Sequence, residues 1–245
     1  MLSGLNTAAA GMAAQQQRMD AVANDLANAN TTGYKHQRVG FRDLVYEQAG
    51  RSSAQGVRTG SGAAAVDAGR AFSQGSLQRT DRPLDVAFQG EGFLRVRLAD
   101  GRDALTRDGG LHIDGNRQLV TSSGSLLQPA ITIPEGVAED QISFGPDGTV
   151  LAAGQRVGKL DVLTVRSLQG LMAVGDNSFV TTAASGAAVA APNTTILSQG
   201  ALEASNTDMA TAMVAMIESQ RAFQLASKAI TTADEMMGIA NQVKR

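Results

Sequence analysis

The C-terminal stretch from Ser205 to Arg245 most constrains what this chain can fold into. From Asn206 onward it contains no proline, and its only glycine is Gly238. Apolar residues recur every three or four positions, with one seven-residue interval across Gln220. This spacing predicts one amphipathic helix, about 55 Å long if it runs from 207 to 243. The apolar stripe consists of Met209, Met213, Met216, Phe223, Ala226, Ile230, Ala233, Met237 and Ala240.

A second apolar stripe runs beside the first, so the apolar face of the predicted helix is wide. It consists of Val214, Ile217, Leu225, Ala229, Met236, Ile239 and Val243. A pair of coiled helices needs only one stripe, so the second favours burial against neighbouring subunits. The alternative is that both stripes belong to an internal core, since methionine commonly fills irregular gaps in cores.

The N-terminus supplies a helix of matching character. Its apolar positions follow a 3-4-3-4-3-4-3 heptad spacing, interrupted by one glutamine, and they are Leu2, Leu5, Ala9, Met12, Gln16, Met19, Ala23 and Leu26. This pattern predicts a first helix that ends at the turn residues between Asn28 and Gly33. We expect the two terminal helices to pair as a coiled coil, with Gln16 and Gln220 as the polar positions that fix its register.

The middle of the chain has the pattern of short strands. From residue 72 to 204, Gly-containing turn signals recur between short apolar runs, and Leu94, Val96 and Leu98 alternate with polar or outward positions. Gly, Ser and Ala dominate the region before it, which predicts a loosely structured linker. The predicted fold class is therefore α+β, with an all-β domain inserted between paired terminal helices. The predicted domains are 1–30 together with 205–245, a linker over 31–75, and a β domain over 76–204.

Composition excludes several functional classes. The chain has 245 residues, a formal net charge of −2, no cysteine, no tryptophan, two tyrosines and two histidines. The absence of cysteine excludes disulfides, thiolate catalysis and zinc–cysteine sites. Near-neutral charge and few aromatic residues argue against nucleic-acid binding. We expect no membrane insertion, because no run of about 20 apolar residues occurs, and no cleaved signal peptide.

No residues form a convincing catalytic, cofactor-binding or metal-binding site, and we predict none. The two histidines, His36 and His112, accompany no recognisable nucleophile motif. Asp108 and Asp114 lie in Gly-rich stretches and are interpreted as residues of hairpin turns. The carboxylates Asp81, Asp85 and Glu91 are interpreted as solvated positions around a strand.

Two terminal motifs resemble the signatures of the bacterial flagellar rod and hook proteins. The first runs from Asp25 to Lys35, and the second from Leu202 to Asp208 with a continuation over Met216–Phe223. Middle segments such as Gly90–Phe93 and Thr106–Gly109 are also similar to that family. The signature positions are Asn28, Asn30, Thr32, Gly33, Tyr34, Lys35, Glu203, Ser205, Asn206, Gln220 and Arg221.

The resemblance implies a structural subunit of the flagellar basal-body rod, which polymerises helically into a hollow shaft that transmits torque and passes export substrates. Segments 128–134 and 41–46 are most similar to distal-rod members, although 46–60 is shorter than expected for them. A proximal-rod subunit is the alternative within the family. A surface adhesin and a wall-cleaving hydrolase are the alternatives outside it.

The family also implies partners and a location. The expected partners are further copies of the chain, other rod and hook subunits and, as a weaker implication, surrounding ring proteins. The implied location is the flagellar basal body in the cell envelope, reached unfolded through the flagellar type III export apparatus. Closing a contact between the two termini costs loop entropy, so we expect the terminal helices to be weakly ordered in the monomer and to order on assembly.

Overall fold

The structure is a computed structural model that describes residues 2–44, 46–48, 58–192 and 194–243. It is of the α+β class, with an N-terminal helix, a β-rich middle and a C-terminal helix. The described residues fall into two compact units. The first is built from 1–27, 37–69 and 208–245, and the second from 28–36 and 70–207. These bounds differ from those of the predicted domains. The assignment of a terminal coiled coil, a linker and a β domain to the predicted ranges stays a prediction.

The first unit, here called the helical unit, contains both long helices and four strands. Helix α1 (Leu2–Ala27) packs against helix α2 (Met209–Val243) and against strand β1. Its strands are β1 (Gln37–Asp43) paired with β4 (Ala63–Arg70), and β2 (Tyr46–Gln48) antiparallel to β3 (Arg58–Gly60). Strands therefore occupy part of the region that the sequence predicted to be a loose linker; residues 49–57 of that region lie outside the described residues.

Side chains define the ends of both helices. The Asp208 carboxylate accepts the backbone N–H groups of Ala210 at 3.3 Å and Thr211 at 3.2 Å, which makes Asp208 the N-cap of α2. The helix thus begins at Met209, two residues after the predicted start. At the other helix, the Asp25 carboxylate near the end of α1 accepts the Gln37 N–H at 3.0 Å, which links α1 to the first residue of β1.

The second unit, here called the β unit, contains sixteen strands among its described residues, and two short 3-10 helices (Glu139–Gln141 and Leu168–Gly170). The strands are β5 (Leu77–Arg79), β6 (Val86–Gln89), β7 (Phe93–Arg97), β8 (Asp103–Thr106), β9 (Leu111–Ile113), β10 (Leu119–Thr121), β11 (Leu126–Gln128), β12 (Ile142–Phe144), β13 (Thr149–Ala152), β14 (Gln155–Lys159), β15 (Val162–Thr164), β16 (Met172–Gly175), β17 (Ser178–Val180), β18 (Val189–Ala190), β19 (Ile196–Gln199) and β20 (Ala201–Glu203).

Strand β7 is the centre of the largest sheet. Its described strands run in the order β16-β17-β8-β7-β11-β10-β9, and β15 also pairs with β7 and carries β18. The pairings are antiparallel, with Leu94 opposite Thr106 on one side and Val96 opposite Leu127 on the other. Smaller antiparallel pairings are β12-β13-β14, β6 with β19, and β5 with β20.

The main core lies in the β unit and is aliphatic. Alternation places Leu94 and Val96 of β7 in it with no exposed surface, as the sequence predicted for this strand. A smaller aromatic cluster contains Phe93 and Phe179, whose rings meet Phe72 edge to face at centroid distances of 5.8 and 5.3 Å. This aromatic cluster adjoins segments that carry the signature residues, described next.

Candidate assembly surface and three-segment junction

Three chain segments meet in the β unit, and we call their meeting point the junction: residues 33–36, 71–76 and 203–206. Backbone hydrogen bonds join them in pairs. The Gly33 N–H donates to the Glu203 carbonyl at 2.7 Å, and the Ala204 N–H donates to the Ser76 carbonyl at 2.9 Å. The Ala71 N–H donates to the His36 carbonyl at 3.0 Å. The segment that follows α1 in the chain is thereby joined to the segment that precedes α2.

Two glycines are required where backbones come close at the junction. A Cβ atom on Gly75 would lie 2.0 Å from the Ala204 carbonyl oxygen, a distance that no side chain can occupy. Gly33 has φ +69°, and its Cβ would lie 2.7 Å from the Arg107 carbonyl oxygen. The signature glycine at 33 is therefore explained by both backbone conformation and space.

A buried ion cluster fills the junction. The Lys35 ammonium contacts the Glu203 carboxylate at 2.6 Å, and the Arg107 guanidinium lies 3.2 Å from its other oxygen. Lys35 also donates to the Ser73 carbonyl at 2.7 Å, and Glu203 accepts the Gly75 N–H at 2.8 Å. The three charged side chains are at most 4 % exposed. One carboxylate thus holds two cations and one backbone amide together.

Arg107 extends this cluster into the aromatic core. Its Nε donates to the Gly92 carbonyl at 2.9 Å, and Nη2 donates to the Gly90 carbonyl. The guanidinium carbon lies 5.6 Å from the centroid of the Phe93 ring, within cation–π range. Arg107 lies in a segment that is similar to the rod family, which is the one sign in the sequence that this residue matters. No sequence pattern predicted that its side chain would be buried.

Burial lowers the pKa of Lys35, and the neighbouring Arg107 cation acts in the same direction. Hydrogen bonding to Glu203 and its negative charge oppose this effect without cancelling it. Burial likewise lowers the pKa of Arg107 from its ordinary value, against the attraction of Glu203 and Glu91. Two buried cations share one buried carboxylate, so desolvation disfavours the fully charged state.

Two further signature side chains complete the junction. The Asn206 amide donates to the Ala71 carbonyl at 2.7 Å, and its oxygen accepts the His36 N–H at 2.8 Å. Thr32 donates to the Asp108 carboxylate at 2.9 Å, and Ser122 donates to the other oxygen of that carboxylate. Asn206 thus replaces regular ladder bonds where the three segments meet, and Thr32 binds Asp108 just before the junction.

The interpretation of two aspartates from sequence was wrong. Asp108 is only 6 % exposed and binds Thr32, so it is more than a hairpin residue. Asp85 is 2 % exposed and accepts a hydrogen bond from the Thr80 hydroxyl at 2.7 Å, so it is not a solvated position. Asp114 does lie in a turn as predicted, where its carboxylate accepts the N–H groups of Asn116 and Gln118.

In the helical unit, some of the predicted interface residues are half-buried and others are exposed. Half-buried members are Leu5, Met12, Met19, Leu26, Met216, Phe223, Ile230 and Met237, and exposed members are Ala9, Gln16, Ala23, Met209, Met213 and Gln220. The side chain of Leu2 lies outside the described residues. The buried positions of the two helices include Ala14 and Ser219. Neither was predicted, because Ala14 lies between the heptad positions and Ser219 is polar.

Helix α2 has two distinct faces. Its covered face, here called the inner row, has the spacing 4-3-4-3-4-3-4 and contains Ala212, Met216, Ser219, Phe223, Ala226, Ile230, Ala233 and Met237. Its open face, the outer row, carries large apolar side chains at Val214 (56 % exposed), Leu225 (70 %), Met236 (54 %) and Ile239 (62 %). The second stripe of the sequence is therefore left uncovered in a single chain.

Other kinds of site find little support in the described residues. No cluster of three or more acidic or histidine side chains with metal-binding geometry occurs among them. None of the described helices combines the length and hydropathy that a bilayer-spanning segment needs. The helical unit has a cleft of about 470 Å³ beside α1, with Asp20 and Asp67 in its lining.

The chain matches three family models along its length. These are the flagella basal body rod protein (residues 5–35), the flagellar hook protein FlgE/F/G D1 domain (87–152) and the flagellar basal body rod FlgEFG protein C-terminal (198–243). The first and third contain the signature residues from 28 to 35 and from 203 to 221 that the sequence analysis named.

Full-length relatives are also known. The flagellar basal-body rod protein FlgG of Borreliella burgdorferi is 40 % identical over 264 residues, covering 100 % of both chains. FlgG of Caulobacter vibrioides is 39 % identical, covering 99 % of this chain and 100 % of its own. FlgG of Bacillus subtilis is 34 % identical, covering 100 % of both. The chain therefore belongs to the flagellar basal-body rod protein family: it is a structural subunit of the distal rod, of the FlgG type, and not an enzyme.

Proposed function

We propose that this rod subunit polymerises helically through its terminal helices into a hollow, torque-transmitting shaft. The observation that carries the proposal is the outer row of α2. Four large apolar side chains, each more than half exposed, lie along one helix and contact little in a single chain. Apolar surface of this extent usually marks a protein–protein contact. A chain that is covered on one face and open on the other supports heterologous, non-closing contacts, which a filament requires.

We further propose that α1 and α2 form a coiled coil within each subunit. The heptad spacing of the inner row and its burial against α1 support this arrangement. The fully buried Ser219 donates its hydroxyl to the Ala215 carbonyl at 2.8 Å, so its polar group is satisfied within α2. Ser219 and Ala14, both small, allow a close approach of the helices. Ser219, rather than the exposed Gln220, is the polar position of the seam.

This proposal assigns a role to each of the predicted domains. The terminal segments 1–30 and 205–245 supply subunit contacts, 31–75 is the linker region, and 76–204 is the β domain. The terminal segments would contact neighbouring copies and other rod and hook subunits, and ring proteins would be further partners. Export of the unfolded chain through the type III apparatus completes the proposal.

Sedimentation and negative-stain electron microscopy at rising concentration test polymerisation. The full chain is compared with residues 28–207, which retain the junction and all of the β unit but lack both helices. We expect tubes or large particles from the full chain and monomers from the shortened one. If the full chain stays monomeric at every concentration, polymerisation through the helices is wrong. If both assemble, the helices are not the contact.

A further inference from the structure

We propose that a specific contact joins successive copies: a basic knob on α2 of one copy enters an acidic cleft on the helical unit of the next. The inference rests on the proposed polymerisation and deepens it. The knob consists of Leu225 with Arg221 and Lys228. The cleft is the space of about 470 Å³ lined by residues of α1, β1 and β4.

The knob combines apolar and positive groups on one helical face. Arg221 lies four residues before Leu225, and Lys228 lies three residues after it, so all three side chains are neighbours. Leu225 is 70 % exposed, the highest value among the exposed large apolar side chains of the described residues. Neither the guanidinium of Arg221 nor the ammonium of Lys228 has an ion-pair or hydrogen-bond partner among the described residues. These two cations are therefore available to a partner.

The cleft has the complementary character. Ala21, Val39, Ala65 and Val66 give it apolar lining, and Asp20 and Asp67 supply two exposed carboxylates. Asp20 accepts a hydrogen bond from the Gln16 amide at 2.9 Å, and Asp67 accepts the Gly69 N–H at 2.8 Å. In the part of the chain that the structure describes, neither carboxylate pairs with a cation. An apolar side chain flanked by two cations matches an apolar space flanked by two carboxylates.

A second copy of the chain is the occupant that this matching favours. Knob and cleft are different surfaces of one chain, so each copy offers one to each of two neighbours. Such a contact is heterologous and continues without closing, as helical growth requires. Charge matching of this kind fixes register and excludes wrong pairings more than it adds affinity. The contact would thus specify how one subunit is seated on the next.

Cysteine pairing tests the contact directly, because the chain has no cysteine of its own. One population carries Gln17→Cys, on a cleft residue, and a second, with a different tag, carries Gln224→Cys, beside the knob. These changes keep all four charged residues. After mixing under assembly conditions and oxidation, we expect a disulfide between the two populations, since a bridge needs Cα atoms within about 7 Å.

The matched control replaces the second partner by Gln242→Cys, an exposed glutamine on the same helix but five turns away. We expect the mixed product with Gln224→Cys to exceed that with Gln242→Cys about tenfold, because only the former pair can meet the geometric limit. Equal yields from both, in chains that assemble, would overturn the contact. The same mixtures without assembly would contradict polymerisation as well, so the two failures are distinguishable.

A charge exchange supplies the second readout. The double variant Arg221→Glu, Lys228→Glu places like charges together, and we expect assembly to slow about tenfold at low salt. Adding Asp20→Lys and Asp67→Lys to the same chain should restore assembly, because knob and cleft are again complementary. All four residues are exposed, so the far-ultraviolet circular dichroism and unfolding midpoint should stay unchanged. If the fourfold variant assembles no better than the double variant while remaining folded, the proposed contact is wrong.

Discussion

The junction of the β unit and the outer row of α2 have opposite chemistry. At the junction, charged groups are buried and each finds partners: Glu203 binds Lys35, Arg107 and a backbone amide. On the outer row, apolar groups such as Leu225 are exposed. Satisfied polar groups maintain the fold of one chain, whereas open apolar groups need a second chain. Buried polar contacts and exposed apolar surface therefore serve two different purposes in this chain.

Removing the shared carboxylate should have the largest effect on stability. Glu203→Gln leaves two buried cations without their counter-charge, and breaking a buried ion pair typically costs about 3–5 kcal/mol. We expect urea unfolding followed by circular dichroism to show a loss of this size. The control is Glu139→Gln, at an exposed position, which should change the free energy of unfolding by less than about 0.5 kcal/mol. Equal effects of the two changes would contradict the role of the cluster.

A methyl group at the backbone crossing should have the next largest effect. In Gly75→Ala, the new Cβ would meet the Ala204 carbonyl oxygen at 2.0 Å, so the segments must separate. We expect a loss of about 2–3 kcal/mol in the free energy of unfolding. Gly115→Ala is the matched control, since nothing lies within 4 Å of its added Cβ. A neutral result at 75 would show that the junction can open without cost.

The lowered pKa of Lys35 predicts a smaller, pH-dependent effect. The folded state binds fewer protons than the unfolded state between the lowered pKa and the ordinary value of 10.5. The contribution of Lys35 to stability therefore increases with pH across that window and is lost as the pH falls through the lowered value. We expect the difference in unfolding free energy between the natural chain and Lys35→Met to shift in favour of the natural chain from pH 7 to 10. A flat or opposite trend would contradict the shift.

Changes on the outer row should have the smallest effect on stability and a clear effect on assembly. For Met236→Gln with Ile239→Gln, both sites are more than half exposed, so we expect the free energy of unfolding to change by less than about 0.5 kcal/mol. Sedimentation should show weaker assembly at the same concentration. Ile230→Gln, on the inner row, is the contrasting variant and should lower the helix content of the assembled form as well as weaken assembly. If the outer-row variant lowers that helix content as much as Ile230→Gln, the two rows are not separate.

Periodicity predicted the helices and strands well because it depends on local sequence. The two terminal helices and the strand that contains Leu94 and Val96 were found where the spacing placed them. The start of α2 was misplaced by two residues, because Asp208 is the capping residue and the helix begins only after it. Ser205 instead accepts the Thr207 N–H at 3.1 Å, before the helix begins.

The junction could not be predicted from spacing, because it joins residues that are far apart in the chain. Lys35 and Glu203 are separated by 168 positions, and no local pattern pairs them. Family resemblance selected both residues but not Arg107 as their common neighbour. Burial of Asp108 was missed for the same reason, since its partner Thr32 is 76 positions away and such partners allow a carboxylate to leave solvent. Burial of Asp85 was also missed, although its partner Thr80 is only five positions away.

Hydrogen exchange, measured residue range by residue range in the dilute monomer and in the assembled form, tests the central claim most directly. The account predicts that amides of 33–36 and 203–206 exchange slowly in both forms, because their bonds lie within one chain. It predicts that amides of α2 around 225–239 are weakly protected in the monomer and become strongly protected on assembly. Strong and equal protection of α2 in both forms, or a junction protected only after assembly, would contradict the account.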